Sequence, residues 1–297
     1  MIDGRYLLRQ AFLQLLPDDP AIPFTLTDLF AECLGGYAQV IAGPDGWPIG
    51  FLTHGEGPQF TERVRIALEQ LGLPAAARAH HQELARWFEH KRGFFKVEWH
   101  RGPAGVEPHA AIYFRRRPPV AEVLERLELT PAARERARDF AAALEKDTIY
   151  FVSAAFRPDQ PVHHELYCSQ WVTGATRDTV AARIGRVFEL YGFGPGAHEA
   201  WIAQHERSVG QGDTTVFVSM SSSDAGVSPT FTIAYPAQDP DTCAGWVPPE
   251  GRRAVADDVR RTMALAGAPQ LALLGVRFAT DQPVPALKYY ADVPGSR

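Results

Sequence analysis

Along this chain the spacing of apolar residues switches repeatedly between the two-residue period of a strand and the 3.6-residue period of a helix. The clearest case lies near the C-terminus, in QLALLGVRFATDQPVPALKYYADV (Gln270 to Val293). Leu271 to Phe278 reads as an apolar strand. A turn carrying Asp281, Pro283 and Pro285 follows, then a second strand from Ala286 to Val293. Alternation in that second strand puts Ala286, Lys288, Tyr290 and Asp292 on one face and Leu287, Tyr289, Ala291 and Val293 on the other.

The same pattern occurs upstream. Strands are predicted at Tyr37 to Ala42 and Ile49 to His54, around Gly43-Pro44-Asp45-Gly46, a hairpin signal. The next pairs are Phe94 to His100 with His109 to Arg117, Ile149 to Phe156 with His163 to Val172, and Thr214 to Ser221 with Pro229 to Tyr235. Amphipathic helices lie between them: Thr61 to Leu71, Ala75 to Lys91, Val120 to Leu127, Pro131 to Lys146, Thr179 to Tyr191, His198 to Glu206 and Arg252 to Ala266. Two more are expected before the first hairpin, at Tyr6 to Leu16 and from Thr25 or Thr27 to Leu34, and Pro236 to Pro249 reads as a Pro-rich loop.

Strand, turn, strand, helix thus recurs roughly every 55 to 65 residues. Each hairpin has one apolar face for its helices and one mixed face. Left open, such a sheet would expose five mixed faces and two edges. Closed, it gives an α+β fold: a ten-stranded antiparallel β-barrel of five αββα repeats, helices outside, with a lumen able to hold a ligand. No low-complexity linker interrupts the series, so residues 1–297 are read as a single domain.

Composition narrows the function. The 297 residues carry a formal net charge of -5, so there is no general basic surface and no nucleic-acid partner is expected. An anionic ligand would need a local cluster of cations. No apolar run approaches the roughly 18 residues that cross a bilayer, and the N-terminus lacks the features of a secretion signal. The three cysteines, Cys33, Cys168 and Cys243, have no metal-like spacing and read as reduced core thiols of a cytoplasmic protein; a monomer is expected. No phosphate loop, dinucleotide fingerprint or HExxH occurs. His80-His81 and His163-His164 diverge, so no metal site is assigned.

The second strands AAIYFRRRP (Ala110 to Pro118), HHELYCSQW (His163 to Trp171), TFTIAYP (Thr230 to Pro236) and ALKYYADV (Ala286 to Val293) resemble those of the soluble aromatic prenyltransferases of the ABBA, or PT-barrel, fold. The layout is similar to the branch that prenylates cyanobactin-type peptides, enzymes of RiPP secondary metabolism. The resemblance implies a prenyl diphosphate donor held in the lumen by Lys and Arg, tyrosines shielding the allyl cation, and an aromatic small molecule or a peptide Trp or Tyr as acceptor. It leaves Mg2+ open, since the family has members of both kinds. Lys288 and Tyr290 match, as do Tyr113 and Tyr167. The basic residue usual two places before the tyrosine is replaced by Ala111 and Glu165, and the corresponding pair on the fourth hairpin is Thr232 and Ala234.

With the Tyr113 face inward, Arg115 and Arg117 share it, and Lys96, Glu98 and His100 share a face of the strand before. Arg277 falls with Leu273 and Gly275. The expected donor-binding residues are therefore Lys96, Tyr113, Arg115, Arg117, Tyr167, Arg277, Lys288 and Tyr290. Glu98, Glu165 and His100 are the candidate bases. The alternative is a barrel that binds an apolar or aromatic ligand and transfers nothing.

Overall fold

The computed structural model describes residues 8–10, 12–13, 21–102, 105–127, 129–158, 160–223 and 226–293. Ten antiparallel strands close into a barrel: β1 (Ala38–Ala42), β2 (Ile49–Gly55), β3 (Gly93–Gly102), β4 (Gly105–Phe114), β5 (Phe151–Phe156), β6 (His163–Val172), β7 (Thr214–Ser223), β8 (Gly226–Gln238), β9 (Leu271–Ala279) and β10 (Ala286–Asp292). Strands adjacent in sequence are neighbours in the sheet, and β10 pairs with β1 through Gln39↔Asp292 to Ala42↔Tyr289. All hairpin turns therefore lie at one end of the barrel, and the connections through helices lie at the other.

Before β1 run α1 (Ala21–Leu29) and α2 (Ala31–Gly36). Between the hairpins come α3 (Gly57–Gln70) and α4 (Ala75–Trp87), then α5 (Val120–Arg126) and α6 (Pro131–Ala143), then α7 (Arg177–Leu190) and α8 (Pro195–Val209). Last are α9 (Pro240–Ala244) and α10 (Arg252–Ala266). Local chemistry sets their limits. Thr130 accepts a hydrogen bond from Ala133 N ahead of Pro131 to start α6, and Gly267 takes a left-handed conformation (φ 68°) to end α10. Among the described residues no helix is long and apolar enough to cross a membrane.

Alternation is plain on β6, where Leu166, Cys168, Gln170 and Val172 are buried outward and Glu165, Tyr167 and Ser169 face the lumen. The main core lies between the outer face of the barrel and the helices. Phe30 stacks on Phe95 at 4.9 Å, Phe88 on Phe114 at 4.8 Å, and Phe188 of α7 meets Phe231 edge-on at 5.0 Å. Trp201 of α8 donates its indole N–H to the buried Tyr235 hydroxyl at 3.0 Å, tying that helix to β8. Cys33, Cys168 and Cys243 are unpaired.

Several boundaries differ from the sequence reading. β4 stops at Phe114, not Arg117, because Arg117 (φ 58°) turns the chain out of the sheet just before Pro118. β8 runs past Pro236 to Gln238, since the left-handed Ala237 (φ 54°) lets Gln238 rejoin Leu271. Within the expected loop after it, Asp239 accepts from Thr242 N and caps the short α9. The expected helix Tyr6 to Leu16 falls mostly outside the described residues; those described within it are helical.

One close approach matters for the lumen. Gly50 of β2 pairs with Glu98 of β3, and a Cβ there would sit 2.0 Å from the Val97 carbonyl oxygen. Gly50→Ala should lower the unfolding free energy by about 1–3 kcal/mol. It would appear as a lower urea midpoint at unchanged slope; an unshifted midpoint would mean that β2 and β3 can part without cost.

Candidate active site

Inward alternation on the ten strands builds a lumen in two zones. Toward the helix end is a chamber of about 790 Å³ whose walls include Tyr37, Phe94, Tyr113, Phe151, Tyr167 and Tyr290. Tyr150 and Phe217 complete the aromatic wall, while Thr232, Ala234 and Gly275 leave the β8–β9 side open. The ring centroids of Tyr113 and Tyr167 are 5.7 Å apart, edge to face. Such a lining offers several π faces and few competing polar groups.

Beneath it lies a charged layer. The Glu98 carboxylate is 2.9 Å from Lys288 Nζ, 3.4 Å from Lys96 Nζ and 3.4 Å from His100 Nε2. Lys96 and Glu98 are buried, and Lys96 Nζ lies 5.7 Å from the Tyr113 ring centroid. Burial alone would raise the Glu98 carboxyl, but Lys288 and Lys96 hold it well below the usual carboxylate range. Burial likewise works against the Lys96 ammonium, yet Glu98 keeps it well above its ordinary value. Lys288 is treated differently: burial, with Lys96 and Arg277 nearby, outweighs Glu98 and lowers it to about 8. Burial pushes Tyr113 up to about 12 and raises Tyr167 and Tyr290 well above the phenol range, so all three remain hydroxyl donors.

Glu165 is handled differently again. It accepts a hydrogen bond from the Tyr167 hydroxyl at 2.5 Å, and no Lys or Arg lies within ion-pair distance of it among the described residues. It is thus a lumen carboxylate beside the aromatic wall that two ammonium groups do not clamp. Sequence alternation placed Glu98 and Glu165 on inward faces; it could not tell which of them pairs with lysine.

The structure brings together Lys96, Glu98, His100, Lys288, Tyr113, Tyr167, Tyr290 and Glu165. Arg115 and Arg117 stand apart at the helix end. Both are exposed, with guanidinium carbons 5.0 and 4.8 Å from the Tyr150 ring centroid; Arg115 lines the chamber mouth and Arg117 does not. Arg277 faces inward next to Thr232, but exposed, at the hairpin end. Sequence reading missed Arg157, one residue past β5, and the aromatic contributions of Phe94, Tyr150 and Phe151. The period-two pattern of FVSAAF marks Phe151 as inward once Tyr113 is, and it pairs with Tyr167.

No family model matches the chain, and no curated protein matches it. Solved structures do. Over 99% of its length and 97% of the other's, it superposes on 5-dimethylallyltryptophan synthase from Streptomyces coelicolor with a TM-score of 0.63 at 14% identity. The prenyltransferase PriB, solved with L-tryptophan and dimethylallyl thiolodiphosphate, gives 0.63 at 12% identity over 100% and 98%. AnaPT from Neosartorya fischeri gives 0.59 at 12% identity over 100% and 95%. The chain therefore has the fold of the ABBA aromatic prenyltransferases.

Removing the Glu98 charge leaves the buried Lys96 and half-buried Lys288 ammonium groups without their counter-ion. Glu98→Gln should cost about 3–5 kcal/mol at neutral pH. Because the folded carboxyl titrates below the unfolded one, this contribution is full above the ordinary carboxylate pKa and is lost as pH falls through the folded value. Urea titrations of both proteins should then converge on acidification. A gap that persists unchanged in acid would place its origin outside the ion pairs.

Proposed function

We propose that this protein is an aromatic prenyltransferase, moving a dimethylallyl or longer prenyl group from a prenyl diphosphate to an aromatic acceptor. The acceptor is a small molecule or a Trp or Tyr side chain of a peptide. The observation that carries the reading is the stacking of the two zones: a chamber walled by aromatic faces directly on a layer of buried cations, inside one closed barrel. The neighbouring structures with dimethylallyl thiolodiphosphate and L-tryptophan support it.

In this reading the C–O bond of the donor breaks, and the diphosphate leaves with the bonding pair toward Lys96, Lys288 and Arg277. The allyl cation lies against Tyr113, Tyr167 and Tyr290, each aromatic face contributing about 0.5–2 kcal/mol. Raised phenol pKa values keep these rings from presenting phenolate nucleophiles of their own. The acceptor ring forms the new C–C bond and then gives up its proton. Glu165 is the better placed base, because Glu98 is committed to two lysines. His100 touches Glu98 and serves that layer, and Arg115 attends the chamber mouth, where it meets the acceptor, while Arg117 stacks on Tyr150 outside it.

The residues do not fit a protein-held Mg2+. No group of three or more His, Cys, Asp or Glu among the described residues could hold a metal, and the carboxylates of Glu98, Glu165 and Asp292 are engaged by lysine, Tyr167 and Gln39. No step is assigned to the ion. The setting that goes with this reading is a single PT-barrel domain, monomeric and cytoplasmic, in secondary metabolism.

One observation favours the alternative of a non-catalytic binding barrel: Glu98 already occupies both the buried Lys96 and the half-buried Lys288. Calorimetric titration with dimethylallyl thiodiphosphate, with and without Mg2+, separates the two. Micromolar binding that Lys288→Ala weakens at least tenfold is the expected result. Affinity should also fall as pH rises through about 8, where Lys288 loses its proton, and Lys288→Arg should flatten that profile. No binding in either buffer would leave the barrel a receptor for an apolar or aromatic ligand.

A further inference from the structure

The helices outside the barrel leave a second hollow. It encloses about 500 Å³ beside the β9–β10 turn, a size usual for small-molecule sites. Its walls come from α7, the loop Gly192 to Gly194, α8, the segment after α9, and the turn from Thr280 to Pro285. It shares no lining residue with the aromatic chamber. The sheet divides the two: on β9, Gly275 faces the chamber and Phe278 faces the outer hollow.

The sequence keeps this space open and sets its chemistry. On α8, Ala197, Ala200, Trp201 and Gln204 fall at helical spacings of three and four, so small side chains share a stripe with large ones. Gly192, Gly194 and Gly245 add no side chain to fill the gap. Phe188, Phe193, Trp201, Trp246 and Phe278 form an aromatic lining. Phe278 is its hub, with ring centroids 5.0 Å from Phe188, 6.4 Å from Phe193 and 6.0 Å from Trp246. Both indole N–H groups are already used, Trp201 on the Tyr235 hydroxyl and Trp246 on Ser208 Oγ at 3.2 Å. The rings therefore offer carbon and π faces. No Asp, Glu, Lys, Arg or His lines the hollow among the described residues. One buried carboxamide does. Gln204, 5% exposed, donates from Nε2 to the Thr242 carbonyl at 2.7 Å, and its Oε1 accepts only from Arg207, at 3.5 Å. One amide N–H and one carbonyl lone pair of Gln204 stay unfilled.

We propose that this hollow is a second ligand site, outside the barrel, for a neutral planar aromatic molecule whose polar edge meets the Gln204 carboxamide. Flat rings are favoured because the lining can stack on them or meet them edge-on. Charge is excluded, because an ion buried there would find no counter-ion. A prenyl diphosphate thus has no place in it, and the site stands whether or not the barrel transfers anything.

The test is fluorescence titration of the full chain with N-phenylnaphthylamine, a neutral probe with one N–H, and with anilinonaphthalene sulfonate, the same rings carrying a charge. The lumen is aromatic too, so Ala234→Trp, or Thr232→Trp where that variant does not fold, fills the chamber and isolates the outer hollow. Ala200→Trp, at an exposed position of α8, fills the outer hollow, with Ala197→Trp as its substitute; thermal melts check that each variant folds. The neutral probe should bind the chamber-filled protein, and adding Ala200→Trp should weaken that binding about tenfold or more. The sulfonate should bind the chamber-filled protein about tenfold more weakly than the neutral probe. Neutral-probe binding that is absent from the chamber-filled protein, or unchanged by Ala200→Trp, would overturn the site. Equal affinity for the sulfonate would overturn the assignment to a neutral ligand. A dimer in sedimentation that Ala200→Trp converts to monomer would give the hollow to a second copy of the chain and overturn the proposal as well.

Discussion

Closure of the sheet by β10 pairing with β1 is the constraint on which everything else here depends. A closed sheet has no edge to protect, but it turns the inner face of every strand into an interior. Each polar residue at an inward position must then find its partner across the lumen. Lys96, Glu98 and Lys288 come from β3 and β10, separated in the sheet by β1 and β2, and the barrel is what brings them to within ion-pair distance. Without closure the same three side chains would be solvated charges on a mixed face.

This explains why the architecture was legible in the sequence and the site only partly so. Strand and helix positions follow from periodicity, and periodicity is local. Lys288 and Tyr290 declare their common face two residues apart, as do Glu165 and Tyr167, and the hydrogen bond between the last pair needs no tertiary knowledge. The commitment of Glu98 to two lysines is invisible along the chain, since Lys288 is 190 positions away.

Proline and arginine caused the remaining errors, for opposite reasons. Pro236 was read as the end of β8, but the left-handed Ala237 restores the ladder beyond it. Pro118 was given too little weight. It sits next to Arg117, and with the chain turning there, Arg115 and Arg117 leave the sheet and stack on Tyr150 at the rim. Arg157 went the other way. It sits in a turn sequence, Arg-Pro-Asp, that reads as surface, yet it comes at the first position past a strand whose far side faces the lumen. Turn composition indicates where the chain reverses and is silent on which way the residue at the reversal points.

The Glu98 layer also gives the lumen a built-in rival for anything negatively charged that enters. The buried carboxylate holds the Lys288 and Lys96 ammonium groups at 2.9 and 3.4 Å and has no desolvation left to lose. A chloride or a simple carboxylate offers those lysines one charge in exchange for the one they have, and must shed its own hydration to do so. An anion carrying several charges on one group would have more to offer the same lysines for the hydration it sheds. If the lumen takes the proposed diphosphate, it would screen visitors by charge density rather than by shape, and the residue making the screen would be an acid set where the resemblance calls for basic residues.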